Sequence, residues 1–315
     1  MIVPHHMETD DTVERPFSNT GSVASTESFA DVGRGIRLCY QTIGNPRHAP
    51  LVLIAGLGQQ YHSWPTSFCV QLAARGFRVI RFDNRDVGRS THTGRRPPRR
   101  LALLVSRLFG SRYRISDMAQ DTVGLLDALE IRSAHLVGIC MGGMIAQTVA
   151  SRHGKRTRSL ASLMSTTGAH EVQQSALATW LREASRPQRT RQEACDRAVD
   201  MFRQAGSPES RFNEQAVREL AERTWDRDPG APGVARQFAA ILRTGDRTAE
   251  LRRIAVPTLV VHGDKDRVIG MRGGLATARA IPGSVLYTVA GIGHDLPASV
   301  WLDLIDLIEA NTQQE

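Results

Sequence analysis

Leu136-Val137-Gly138-Ile139-Cys140-Met141-Gly142-Gly143 is an apolar run that changes character at a single residue. Up to Ile139 it reads as a buried strand, and from Met141 to Ala150 it reads as a helix, so Cys140 alone makes the turn between them. A strand that passes straight into a helix strains its turn residue and lifts that side chain clear of the sheet, beside a helix N-terminus. Gly138 and Gly142 stand two residues to either side of Cys140, where a Cβ would collide in so tight a turn. The pattern is G-x-S-x-G with sulfur in place of oxygen.

Outward from this turn, apolar segments and helical patterns alternate. Residues 35–44 repeat with period two and predict an antiparallel edge strand, whereas residues 51–55 and 77–82 read as buried strands. Residues 63–75 predict a helix with Pro65 near its start and Gly76 at its end. Residues 116–129 predict another, capped by Ser116 and Asp117, ahead of the strand at 135–139. Further strands are expected at 159–164, 258–262 and 285–289. Such alternation implies an α/β fold with a mostly parallel, doubly covered sheet.

Two intervals depart from it. Residues 168–253 hold helical patterns at 176–184, 191–204 and 217–225 and no convincing strand, and they read as an inserted helical cap. The expected organisation is a flexible leader over 1–26, a core in two parts over 27–167 and 254–315, and the cap over 168–253. The second interval, 91–114, is basic and carries the apolar stretch 101–109, read as a short helix packed on the domain.

Composition narrows the function. With 41% apolar residues among 315, the chain can bury a sizeable core. No stretch reaches the roughly 18 uncharged apolar residues that a membrane span requires. Residues 1–6 have neither a basic start nor an apolar segment, so a cytoplasmic enzyme without stable membrane insertion is expected. Cys39, Cys69, Cys140 and Cys195 lie far apart, which argues against both a zinc site and a disulfide framework. The net charge is +8, carried almost wholly by arginine, yet the basic runs are not interleaved with aromatics, so no nucleic-acid partner is expected. A basic surface could instead dock an acidic acyl-carrier protein. No metal or organic cofactor is implied.

A cysteine nucleophile needs a base, an acid to orient that base, and donors for an oxyanion. Asp266 follows the strand ending at Gly263 and is preferred to Asp264, which suits a turn role. His294, in the glycine-rich loop Ala290-Gly291-Ile292-Gly293-His294, is the candidate base. His262 reads as a buried structural histidine, and His62 as a residue that could line the pocket. The expected oxyanion donors are the main-chain amides of Met141 and Leu57, the latter in Ala55-Gly56-Leu57-Gly58-Gln59-Gln60. That loop lacks the glycine spacing of a phosphate cradle.

Together, Gly56-Leu57-Gly58-Gln59-Gln60 with Ser63-Trp64-Pro65, the run Arg81-Phe82-Asp83-Asn84-Arg85-Asp86-Val87-Gly88-Arg89-Ser90, and Met141-Gly142-Gly143-Met144-Ile145-Ala146-Gln147 resemble the α/β-hydrolase superfamily. The resemblance is to the actinobacterial branch that includes aclacinomycin methylesterases and related lipase/esterase-like proteins, and it is weakest in the cap. It implies the hydrolase fold, the cap and a triad at residues 140, 266 and 294, but not the substrate, because this fold hosts many reactions.

Relatives of this branch normally carry serine where Cys140 stands. Three explanations remain open: a thiol enzyme, a serine-to-cysteine replacement that traps an acyl-enzyme, and a non-catalytic ligand-binding protein with a bland thiol. For the first, a helix N-terminus and a neighbouring imidazolium favour thiolate over thiol. The expected chemistry is cleavage of a carboxylic ester or thioester through an acyl-enzyme. The alternative is an acyltransferase or cyclase of secondary metabolism, because thioesters react readily with amines, thiols and well-placed alcohols.

Overall fold

Runs rich in valine, leucine and isoleucine build the sheet. In the computed structural model, which describes residues 25–94, 113–169, 186, 188–208, 212–231 and 233–314, eight strands pair in the order β1-β2-β4-β3-β5-β6-β7-β8. These are β1 (Ser28–Asp31), β2 (Arg37–Ile43), β3 (Ala49–Ile54), β4 (Phe77–Phe82), β5 (Ala134–Ile139), β6 (Thr157–Leu163), β7 (Thr258–Gly263) and β8 (Val285–Val289). From β4 to β8 every pairing is parallel, whereas β2 runs antiparallel to both β1 and β4. Strands such as β5 and β7 are buried along their whole length, because helices cover both faces and no polar alternation is needed.

One strand expectation is corrected. β2 is not the edge: four-residue β1 pairs outside it, too short to leave a periodic signature in the sequence.

The helices fall between the strands. α1 (Thr66–Ala74) begins after Pro65, and α2 (Ile115–Ala128) begins one residue before the expected Ser116. Its cap is the carboxylate of Asp117, which accepts the Arg114 N–H at 2.8 Å, so Ser116 lies inside the first turn. α3 (Met141–Arg152) is buried from Met141 through Ala150 and packs on β5 and β6 and against α2. α8 (Met271–Ala280) follows β7, and α9 (Trp301–Thr312) follows β8.

Among the described residues, four helices lie between β6 and β7: α4 (Arg191–Ala205), α5 (Glu214–Arg227), α6 (Val234–Thr244) and α7 (Thr248–Leu251). Thr190 and Asn213 cap the first two, their side-chain oxygens accepting the Glu193 and Ala216 amides at 3.1 and 3.0 Å. α6 lies inside the expected cap but outside the three helical patterns read there, and it buries Val234, Gln237, Ala240 and Ile241. Buried ion pairs hold these helices to the loop after β4: Arg227 with Asp83 at 2.8 Å, and Arg236 with Asp86 at 2.6 Å. Burial disfavours the charge on Asp86, yet the Arg236 guanidinium and the Tyr113 hydroxyl hold its carboxyl below the ordinary range.

Residues 1–24 of the expected leader, the stretch 101–109 and the expected helix at 176–184 lie outside the described residues. No helix among the described residues is long and apolar enough to cross a membrane.

Candidate active site

β3 and β5 are adjacent and parallel, with Ile54 opposite Gly138, and the direction in which strands are added reverses between them: β4 lies outside β3, and β6, β7 and β8 lie outside β5. A parallel sheet opens a crevice at the C-terminal ends of its strands at such a switch point. The loop after β3 and the turn after β5 therefore meet there.

Cys140 is that second turn. Its backbone sits at φ 54° and ψ −119°, at the N-cap of α3, a conformation that costs an L-residue about 1–3 kcal/mol. The surroundings leave no slack: a Cβ on Gly138 would lie 2.2 Å from the Gly142 carbonyl oxygen, and one on Gly142 would lie 2.1 Å from that of Ile54. The Cys140 amide donates to the Leu163 carbonyl at 3.0 Å, and the Ser165 hydroxyl donates to the Cys140 carbonyl at 2.8 Å. The turn is thereby fixed from both sides while the thiol faces the crevice.

His294 and Asp266 reach this place from the loops after β8 and β7. His294 Nδ1 lies 2.8 Å from Asp266 Oδ2. The other oxygen, Oδ1, accepts the Val268 and Ile269 amides at 2.8 and 3.0 Å, so the carboxylate is held on both sides. Burial opposes charge on Asp266, but the two imidazoles of His294 and His262 hold its carboxyl well below the usual carboxylate range. Burial likewise works against a charged His294; Asp266 and then Cys140, each also hydrogen-bonded to the ring, raise it to about 10. Asp264 instead accepts the Gly291 amide at 2.8 Å, a turn role that separates it from Asp266.

The loop after β3 runs past the thiol, for a Cβ on Gly56 would lie 3.4 Å from that of Cys140. Gln59 folds back to accept the Gly56 amide at 2.9 Å, and Gly58 takes a φ of 69° open to glycine. Leu57 is buried between them, and Met141 is the first residue of α3, whose amide has no acceptor within the helix.

Above these groups is a cavity of about 200 Å³ bounded by Leu57, Cys140, Met201, Phe202, Trp225 and His294, so α4 and α5 form its far wall. Its lining is mostly apolar, with Arg197, Asp228 and Asp295 as charged exceptions. His62 is not on that lining; its Nε2 lies 3.0 Å from the Thr224 hydroxyl, and burial lowers its pKa to about 3, leaving the ring neutral. His262 is fully buried, as expected for a structural residue, but its Nε2 lies 3.2 Å from Asp266 Oδ2, a contact the sequence did not foretell. Among the described residues, no cluster of three or more histidine, cysteine or acidic side chains could hold a metal ion. Cys39, Cys69, Cys140 and Cys195 are all free thiols.

A family model described as the alpha/beta hydrolase fold matches residues 49–297. The chain belongs to the α/β-hydrolase family. Among similar proteins, the rhodomycin D methylesterase DauP of Streptomyces sp. (strain C5) is 29% identical over 88% of this chain and 95% of its own. A 2-hydroxymuconate semialdehyde hydrolase of Pseudomonas sp. (strain CF600) is also 29% identical, over 78% of this chain and 80% of its own. In three dimensions, this α/β hydrolase resembles a 2-hydroxy-6-oxo-6-phenylhexa-2,4-dienoate hydrolase from Rhodococcus sp. strain RHA1. The TM-score is 0.74, with 92% of this chain and 99% of the other covered at 18% identity. An esterase from Rhodococcus sp. ECU1013 superposes with a TM-score of 0.73 at 20% identity, over 92% of this chain and 99% of its own. At these identities the two structures speak for the fold alone.

Three residues that hold the site had no sequence signal: Ser165 on the Cys140 carbonyl, Gln237 on the loop after β3, and Ser207 beside His294. Each acts through a partner distant in the chain.

Proposed function

We propose that this α/β hydrolase cleaves a carboxylic ester or thioester through an acyl-enzyme on Cys140. The observation that carries the reading is the chain of contacts from the Cys140 thiol through the His294 imidazole to the Asp266 carboxylate, set at the floor of a largely apolar cavity.

The Cys140 proton passes to His294 as the sulfur attacks the acyl carbon, and the electrons of the carbonyl double bond move onto its oxygen, which the Leu57 and Met141 amides receive. His294 protonates the departing alkoxide or thiolate as the tetrahedral intermediate collapses to a thioester. Water then loses a proton to His294 as it attacks the thioester; collapse breaks the C–S bond and releases the acid, and His294 returns its proton to the departing Cys140 sulfur. Asp266 stays ionised throughout and keeps Nδ1 engaged, so that Nε2 faces the reacting atoms.

The relatives named rhodomycin D methylesterase favour a methyl ester as the bond cleaved, and the Met201, Phe202 and Trp225 wall suits a bulky apolar acyl part. Sulfur at residue 140 favours a second reading, transfer of the acyl group to an alcohol or amine, because the thioester is open to such acceptors.

Turnover of p-nitrophenyl butyrate and of methyl esters of aromatic acids tests the reading. The wild type is expected to release acid, and Cys140→Ala none above background. Equal turnover by both proteins would overturn it. Added alcohols that divert product from acid to a new ester would select the transfer reading.

A further inference from the structure

The catalytic loops are not held by the sheet alone. On one side, the Gly58 amide donates to Gln237 Oε1 at 2.9 Å, and Gln237 Nε2 donates to the Arg85 carbonyl at 2.7 Å. Gln237 is fully buried on α6, and both ends of its amide are satisfied in one orientation only: oxygen toward Gly58, nitrogen toward Arg85. Val234, one turn earlier, closes on Gly58 so tightly that a Cβ there would lie 3.0 Å from its methyl group. On the other side, the His294 amide donates to the Ala205 carbonyl at the end of α4, at 2.7 Å. The Ser207 hydroxyl accepts the Gly293 amide at 3.0 Å and donates to Asp295 at 2.5 Å. A Cβ on Gly293 would lie 2.5 Å from the backbone of Gly206, so the two chains are in direct contact.

The helices between β6 and β7 thus grip the loop that carries the Leu57 amide and the loop that carries His294. We infer that Gln237 is a positioning residue that sets the Leu57 oxyanion donor from α6, making these helices part of the catalytic frame as well as the wall of the pocket. The inference rests on the reading of Leu57 given above. An oxyanion amide displaced by a fraction of an ångström loses much of its hold on the transition state but little on the ground-state ester. Gln237 therefore governs acylation and leaves the nucleophile and its base unaltered.

Two reactions of Cys140 separate these effects. Acylation by p-nitrophenyl butyrate passes through an oxyanion, whereas alkylation by iodoacetamide displaces iodide from carbon and forms none. In Gln237→Met, of similar length but lacking both polar ends, kcat for the ester is expected to fall roughly 10- to 100-fold with KM changed less than about threefold. The alkylation rate should match the wild type. Should the methionine variant fail to fold, Gln237→Glu serves: it keeps an acceptor for Gly58 but sets a carboxylate oxygen against the Arg85 carbonyl, and the same division is expected with a smaller loss. Wild-type acylation in a folded variant would overturn the inference, as would equal loss of acylation and alkylation, which marks general disorder of the site. If the wild-type protein itself is never acylated on Cys140, the functional reading falls first and the inference with it.

Discussion

Asp266 Oδ2 lies 2.8 Å from His294 Nδ1, across 28 residues of chain and between two separate strand ends. With Oδ1 already occupied by two main-chain amides, this oxygen has one direction in which to hold the imidazole. The ring cannot rotate without breaking a charge-assisted bond in a buried setting, and so Nε2 stays toward Cys140.

The pair should make stability depend on pH in a defined window. His294 is raised from 6.5 to about 10, so its contribution is complete below pH 6.5 and is lost as pH rises toward 10. Asp266 is lowered from 3.8, so its contribution is present above that pH and is lost as pH falls beneath it. In a Cys140→Ala background, where the thiol cannot titrate, the stability lost on adding Asp266→Asn should be greatest between these limits. Above pH 6.5 it should decline by up to about 1.4 kcal/mol per pH unit. Urea denaturation at about pH 5.5 and about pH 9 measures the difference; a larger loss at the alkaline value would contradict it.

Neighbouring aspartates should behave unlike one another. Asp266→Asn is expected to lower kcat for an ester by ~10²- to 10⁴-fold, since it leaves the imidazole without its orienting charge. Asp264→Asn, which alters the contact to the Gly291 amide and a half-exposed ion pair with Lys265, should cost less than about threefold. Steady-state kinetics on the two purified variants decide it.

Glycine 142 tolerates no side chain. Gly142→Ala would place a Cβ 2.1 Å from the Ile54 carbonyl oxygen, and a loss above about 3 kcal/mol is expected. Gly154→Ala meets nothing within 4 Å and should lie within about 1 kcal/mol of the wild type. Thermal unfolding of the two variants side by side provides the comparison.

Beneath the nucleophile helix, Arg247 is fully enclosed, and burial lowers its pKa to about 10. It donates to the Met144 carbonyl at 3.0 Å, Gln147 Oε1 at 2.8 Å and the Thr166 carbonyl at 2.5 Å. Arg247→Met takes the donor from Gln147 Oε1 and the Thr166 carbonyl, while the Met144 carbonyl keeps the Thr148 hydroxyl at 2.8 Å, and a destabilisation of about 3 kcal/mol is expected from denaturant titration.

Legibility in the sequence followed distance along the chain. The turn at Cys140 could be read because the signal is local: Gly138 and Gly142, two residues to either side, are each required by sterics at their own positions. Asp266 was separable from Asp264 by its spacing after β7, and the structure pairs it with His294. β1 was not legible, since four residues carry no period, and β2 was consequently misplaced at the sheet edge. Gln237 was not legible either: its partners lie 179 and 152 residues away, and a glutamine in a helix pattern reads as solvated. The close approach of His262 to Asp266 is hidden in the sequence for another reason. Four residues apart, they are neighbours in a helix, but here a strand end and a turn bring them together.

The central claim is that Cys140 is the nucleophile, and rapid acid quench followed by peptide mass spectrometry tests it most directly. After mixing with p-nitrophenyl butyrate, a butyryl group is expected on the peptide containing Cys140, forming no more slowly than product appears and cleaved by neutral hydroxylamine. Steady ester turnover with Cys140 unmodified, or the label on another residue, would contradict the account.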